Sequence, residues 1–244
     1  MMYVQRSNRV LAVLAALTLA FTPAMTEAKK PDKPGGGGGD GGGDGDTGNE
    51  IIIVKLDEAS GIGTQGRAWD INDLREVVGS VRTSSGEDAA AYWTVTEADG
   101  VVESSLSVLG GGHDAFGINS LGEIVGQSFD GSGNAVAVYW PGPSSPAIPL
   151  PPLTGHDVSV ALSINIDGLI CGYVSVSGQQ DWQGDRAVVW RVTSGNDGPV
   201  ISNPVELPAG GAGSSARDVN DNDGSGTAQV VGVCLLYTSD AADD

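Results

Sequence analysis

The chain holds two histidines, and both stand in the same tripeptide, Gly112-His113-Asp114 and Gly155-His156-Asp157. An imidazole beside a carboxylate can act as a general base or a metal ligand. Its recurrence in what reads as one inter-repeat loop points instead to a hydrogen bond that caps a turn or a strand. A second cluster reads Asp218-Val219-Asn220-Asp221-Asn222-Asp223-Gly224-Ser225-Gly226. Closely spaced carboxylate and amide oxygens suit a hard cation, so Asp218, Asn220, Asp221 and Asp223 are the candidate calcium ligands. The competing reading is a solvated turn, since the glycine is one residue away from the usual calcium-loop spacing. A third candidate, Gly61-Ile62-Gly63-Thr64-Gln65-Gly66, matches the dinucleotide fingerprint letter for letter. That fingerprint works only between a strand and a helix whose amino end meets the pyrophosphate. Residues 67–72 read as a strand, and the matching stretches 110–113 and 210–214 are Gly-rich, so a loop is expected. HExxH, CxxC, GxSxG and Walker patterns are absent from the sequence, and no catalytic or cofactor-binding residue is assigned.

These candidates sit in a chain that repeats itself. Ala68-Trp69-Asp70-Ile71-Asn72 recurs as Ala115-Phe116-Gly117-Ile118-Asn119, as Ala161-Leu162-Ser163-Ile164-Asn165 and as Ala216-Arg217-Asp218-Val219-Asn220. The Asn-to-Asn steps are 47, 46 and 55 residues. Seven residues after each of the first three Asn comes a small apolar residue and glycine: Val78-Gly79, Val125-Gly126 and Cys171-Gly172. In the fourth copy Val231-Gly232 lies 12 residues past Asn220, an insertion of five. Trp93, Trp140 and Trp190 close the third segment of the first three copies.

The spacing predicts short half-buried strands joined by tight turns. Asn at the end of a first strand can start a turn, and Gly122 and Gly168 supply the positive φ such a turn needs. Arg75 stands at that place in the first copy, which predicts a different turn there. The glycine of the second strand is expected to leave room for an aromatic ring, the repeat Trp. Cys171 fills the slot of Val78, Val125 and Val231, as a small buried hydrophobe would. One unit reads as four strands, 115–118, 123–128, 135–140 and 147–150. Residues 51–56 read as a fourth strand without its unit. The fold expected is therefore all-β, a β-propeller-like array of four-stranded repeats of about 46 residues, three full units plus a partial fourth.

Composition bounds the rest. The 244 residues carry 12 Lys+Arg against 31 Asp+Glu, a net charge of −19. Nucleic acid and anionic membrane surfaces would be repelled. Residues 1–28 read as a signal peptide: Arg6 and Arg9 precede a 12-residue apolar run, Val10 to Phe21, and Thr26-Glu27-Ala28 offers a cleavage site. That run falls short of the roughly 20 residues a membrane span needs, so no transmembrane segment is expected in the mature chain. Removing Arg6, Arg9 and Glu27 would leave 10 basic and 30 acidic residues, a charge of −20. Residues 29–50 read as a Gly/Asp-rich flexible linker, and residues 51–233 as the repeat domain.

The pattern A-x-x-I-N-x-x-G-x-I-V-G followed by A-x-x-W resembles the extracellular HAF repeats of exported bacterial proteins, over residues 51 to 233. The resemblance implies a secreted β-propeller-like protein and brings no catalytic residues with it. The 218–226 cluster is similar to the calcium loops of integrin-type propeller repeats. Residues 234–244 break the pattern and resemble the translation of a sequencing-library adapter, so a non-native tail and an incomplete repeat domain are expected. The function expected is a secreted, periplasmic or cell-surface scaffold that binds a protein or carbohydrate ligand. The alternatives are a propeller enzyme acting on extracellular polysaccharide and a calcium-stabilised structural repeat.

Overall fold

The computed structural model describes residues 2–6, 9–14, 50–56, 62–98, 101–178, 184–208, 213–221 and 227–234. Among these the protein is all-β, with no α-helix. At the amino terminus, β1 (Met2–Arg6), β2 (Arg9–Leu14) and β3 (Glu50–Lys55) form one sheet, in which β3 runs parallel to β2. The segment expected as a lone strand is therefore a strand partnered by β2. Residues 15–49, which hold most of the expected signal peptide and linker, lie outside the described residues.

The repeats then fold one sheet at a time. The first sheet has the order β4 (Ile62–Ile71), β5 (Glu76–Thr83), β6 (Asp88–Ala98), β7 (Val101–Val108). The second runs β8 (Asp114–Ile118), β9 (Ile124–Phe129), β10 (Ala135–Trp140), β11 (Ile148–Pro149). The third contains β12 (Val158–Ile164), β13 (Leu169–Ser175) and β14 (Arg186–Gly195). Its fourth position is split, because β15 (Gly198–Ile201) and β16 (Val205–Glu206) pair with different halves of β14. Pro204, which has no backbone N–H to donate, stands at the break. The fourth sheet pairs β17 (Ser214–Val219) with β18 (Val230–Cys234).

Because side chains alternate across a strand, the second and third sheets each bury two faces, one on each neighbour. Val78, Ala90 and Tyr92 of the first sheet pack with Ile118, Val138 and Trp140 of the second. Val125 and Tyr139 of the second pack with Ile164, Ile170 and Trp190 of the third. Cys171 and Ala187 of the third pack with Ala216 and Val219 of the fourth. Trp140 and Trp190 thus each face the preceding sheet, and their indole N–H groups donate to Gly110 O and Pro151 O at 2.9 Å. Trp93 lies on the first sheet's other face, with Leu56, Ile71 and Val77.

In all four sheets the first strand carries a bulge at one register. Pairing skips from Ala68 to Asp70, from Ala115 to Gly117, from Ala161 to Ser163 and from Ala216 to Asp218. The bulge explains the invariant glycine differently from the expectation. A Cβ on Gly79, Gly126, Gly172 or Gly232 would lie 1.8, 2.0, 2.0 or 2.2 Å from a first-strand carbonyl oxygen. Backbone, not an aromatic ring, fills that space. The tryptophan ring makes its demand elsewhere: a Cβ on Gly112 would meet Trp140 Cζ2 at 2.2 Å.

Each repeat asparagine closes its own turn and reaches into the next sheet. Asn119 Oδ1 accepts Leu121 N and Glu123 N, both at 3.0 Å. Its Nδ2 donates to Glu123 Oε2 at 2.6 Å and to Asn165 O at 3.0 Å. Asn72 does the same towards Glu76 and Asn119 O. Asn165 captures Asp167 N and Leu169 N and donates to Asn220 O at 3.0 Å. A buried carboxamide with its donors and acceptors engaged is a strong specifier of register. The first-copy turn is not of a different type: Arg75 takes φ 63°, as Gly122 and Gly168 take 78° and 71°, and Arg75 N donates to Asn72 O at 3.2 Å. The bonds from Leu74 N and Glu76 N to Asn72 Oδ1 hold it there, and an ion pair to Glu97 at 3.0 Å anchors its side chain.

Candidate functional site

Three of the expected calcium ligands, Asp218, Asn220 and Asp221, lie along the seam between the third and fourth sheets. Asp218 Oδ1 accepts Ser163 Oγ at 2.7 Å and Val219 N at 2.9 Å. Asn220 Oδ1 accepts Gln229 N at 2.6 Å, and Asp221 Oδ1 accepts Ile166 N at 2.9 Å. Each residue has its own partner, so the side chains are spread along the seam rather than gathered around one point. Among the described residues no group of three or more His, Cys, Asp or Glu side chains is placed to share a metal. Asp223 lies outside the described residues.

The two Gly-His-Asp tripeptides are not equivalent, contrary to expectation. Asp114 opens β8 directly before the bulge alanine, paired with Gln127, whereas Asp157 stands four residues before Ala161 and precedes β12. Both carboxylates do hold strand ends. Asp114 Oδ2 bonds His113 Nδ1 at 2.7 Å and accepts Gln127 Nε2 at 2.9 Å. Burial pushes this carboxyl up, but hydrogen bonds from His113, Gln127 and Ser80 outweigh it and hold Asp114 below the usual carboxylate range. The His113 ring stands edge-on to Phe129, 4.7 Å between centroids. Asp157 accepts both the amide and the hydroxyl of Ser177, which lower its pKa, while His156 Nδ1 lies 3.3 Å from Thr154 O.

The fingerprint stretch is also corrected. Residues 62–66 belong to β4 rather than to a loop, and strand, not helix, follows, so the segment offers no helix amino end to a pyrophosphate. Cys171 behaves as expected of a buried hydrophobe. It is fully buried, and burial, followed by the charge of Asp218, pushes its thiol up to about 12. Cys234, the first residue of the expected foreign tail, ends β18 opposite Ser214.

What the sequence reading did not single out is the row made by the bulges. β4, β8, β12 and β17 are each the edge strand of their sheet, and cross-bonds tie neighbours together. Ile118 N donates to Asp70 Oδ2 at 2.9 Å, and Ser163 to Asp218. An edge strand with unpaired amides invites pairing with another chain, and the Asp70 carboxylate caps one such amide. The residues extruded by the four bulges are Trp69, Phe116, Leu162 and Arg217. Trp69 is 42% exposed and stands edge-on to Phe116, 5.6 Å between centroids. Leu162 is half-buried and Arg217 exposed. Gln65 and Arg67 are exposed with Trp69 on alternate residues of β4. The signal in the sequence was the first x of A-x-x-I-N, where large and dissimilar side chains follow an invariant small one. Comparison with known protein families, curated proteins and solved structures finds no match to this chain.

Proposed function

We propose that this protein is a secreted or cell-surface β-propeller-like scaffold of the HAF-repeat kind, and that it acts by binding through the row of bulged residues. The observation that carries the reading is a contrast inside each repeat. The frame residues Ala, Ile or Val, Asn and Gly recur in every copy and are consumed by pairing and packing. The residue that each bulge pushes out is different every time: Trp69, Phe116, Leu162, Arg217. Repeat proteins that bind use a constant frame with variable presented side chains, and bulges re-aim a side chain where function needs it. Serial packing of four-stranded sheets with like register supports the propeller-like arrangement.

The chemistry of the row suits a carbohydrate without charge. An exposed indole offers an apolar face to sugar C–H groups, and Gln65 and Arg67 offer planar donors to hydroxyls. The net charge of −19 disfavours polyanions. The test is a titration of the protein with soluble dextran and xylan, followed by calorimetry, alongside the Trp69→Ala/Phe116→Ala double variant. Binding of one glycan, lost in a variant that keeps the wild-type thermal midpoint, is the expected result. Undiminished binding by the variant overturns the assignment of the row. Release of reducing ends from either glycan overturns the binding-only reading in favour of an enzyme.

A further inference from the structure

We infer that a groove between the second and third sheets is a docking site for a basic peptide segment of a partner protein. The groove comes from a difference in hairpin length. In the first and third sheets the third strand continues five residues past its tryptophan, to Ala98 and Gly195, while β10 stops at Trp140. Pro141 and Pro143 follow Trp140 and deny the strand further ladder donors. The third-sheet hairpin therefore rises beside a truncated neighbour and walls off a space of about 560 Å³, open to solvent. That volume is within the range of about 300–1,000 Å³ typical of ligand clefts.

Its lining decides the chemistry. The charged side chains that line it, Glu123 and Asp167, are both acidic. Tyr139 OH donates to Glu123 Oε1 at 2.6 Å, so that hydroxyl keeps only acceptor capacity for a ligand. Leu121 and Ile166, both exposed, and Pro141 and Pro199 form the apolar remainder. Carboxylate acceptors beside apolar side chains match a Lys or Arg side chain, whose aliphatic stem lies on apolar surface while its head seeks oxygen. A cleft lined by one sign of charge focuses the field of the whole molecule, and here groove and molecule carry the same sign, at −19 overall. This site is separate from the bulge row, so failure of either test leaves the other standing.

The probes are the peptide acetyl-Lys-Leu-Lys-Leu-Lys-amide and its counterpart with Glu in place of Lys, titrated calorimetrically at low and high salt. The lysine peptide is expected to bind and to weaken as salt rises, and the glutamate peptide not to bind. Asp167→Asn should weaken binding about five- to tenfold, a change on the order of 1 kcal/mol as for an exposed ion pair. Ser194→Trp, which fills the groove from an exposed position, should abolish it. Glu103→Gln, an equal loss of charge on an exposed residue of β7, should leave it unchanged. No binding of the lysine peptide, equal binding of the glutamate peptide, full binding by Ser194→Trp, or equal losses in Glu103→Gln and Asp167→Asn would each overturn the inference.

Discussion

The third and fourth sheets carry the same motif residues and treat them in opposite ways. The position before the second-strand glycine is fully buried as Val78, Val125 and Cys171, yet Val231 is 61% exposed. The repeat asparagine is buried as Asn72, Asn119 and Asn165 but exposed as Asn220. Residue type and strand register are alike in the two sheets. What differs, among the described residues, is that a sheet packs on that face of the third and none on that face of the fourth. Burial here belongs to the seam between sheets and not to the repeat itself, as a quasi-one-dimensional architecture requires.

The sharpest way to break this comparison is to put a charge at the two valines. Val125→Asp buries an unpaired carboxylate between the second and third sheets and should cost about 3–5 kcal/mol, enough to unfold a marginal domain. Val231→Asp leaves its carboxylate in water, and urea denaturation should place it within about 0.5 kcal/mol of wild type. Equal losses would mean that the face of β18 is covered in solution.

The asparagines give the next largest contrast. Asn119→Ala removes a carboxamide that serves Leu121 N, Glu123 N, Glu123 Oε2 and Asn165 O. With buried groups left unsatisfied, a loss of about 3 kcal/mol is expected. Asn220→Ala gives up the bond to Gln229 N and should cost no more than about 1 kcal/mol. The backbone carbonyl of Asn220, which serves Asn165, survives the change.

A smaller effect separates the second seam from the third. Tyr92 and Tyr139 donate to Glu76 and Glu123 at 2.6 Å, and those carboxylates in turn accept the repeat asparagine. Burial, then the bond to the carboxylate, raises both tyrosine pKa values. In the third copy Leu169 and Val189 stand in these places, and both pack against the third-to-fourth core. The polar pair has been exchanged as a unit for an apolar one. Glu123→Leu or Tyr139→Val alone strands a half-buried group and should cost about 1–2 kcal/mol. The double variant should recover part of that loss, giving a coupling of about 1 kcal/mol in a double-mutant cycle. Strict additivity would refute the exchange.

Much of this arrangement was legible in the sequence because it is local. The strands expected at 115–118, 123–128, 135–140 and 147–150 correspond to β8, β9, β10 and β11, since alternation and turn glycines act over a few residues. What escaped reading is what one strand does to another. The carbonyl of Asp114 against Gly126 follows from a bulge, and the variable first x of A-x-x-I-N marks its place without revealing the carbonyl it turns inward. The turn half of the asparagine was visible, but its bond to a carbonyl 46 or 47 residues away was not. Arg75 looked incompatible with its neighbours' turn because φ preference was weighed alone, without the bonds that Asn72 imposes. The bulge row was hidden for the same reason, since its first-strand partners are brought together only by sheet stacking. Of the expected calcium ligands, Asp218 and Asp221 are held by Ser163 and Ile166 across a seam, partners 55 residues away that the local run of Asp and Asn does not reveal.

The two cysteines offer the gentlest probe of the same contrast, since reading them needs no substitution. Cys171 lies in the seam between the third and fourth sheets, and its thiol is pushed up to about 12, by burial first and by Asp218 second. The reactive thiolate is therefore scarce at pH 8. Cys234 is exposed at the end of β18. A thiol reagent should therefore modify one equivalent rapidly and the second only as the fourth sheet detaches. Dilute urea should accelerate the slow phase well below the global unfolding midpoint, because local opening of a two-stranded sheet covered on one face costs less than unfolding the whole. A slow phase that tracks global unfolding would instead mean that the fourth sheet is as firmly held as the seams within the stack, and that its exposed face costs it nothing.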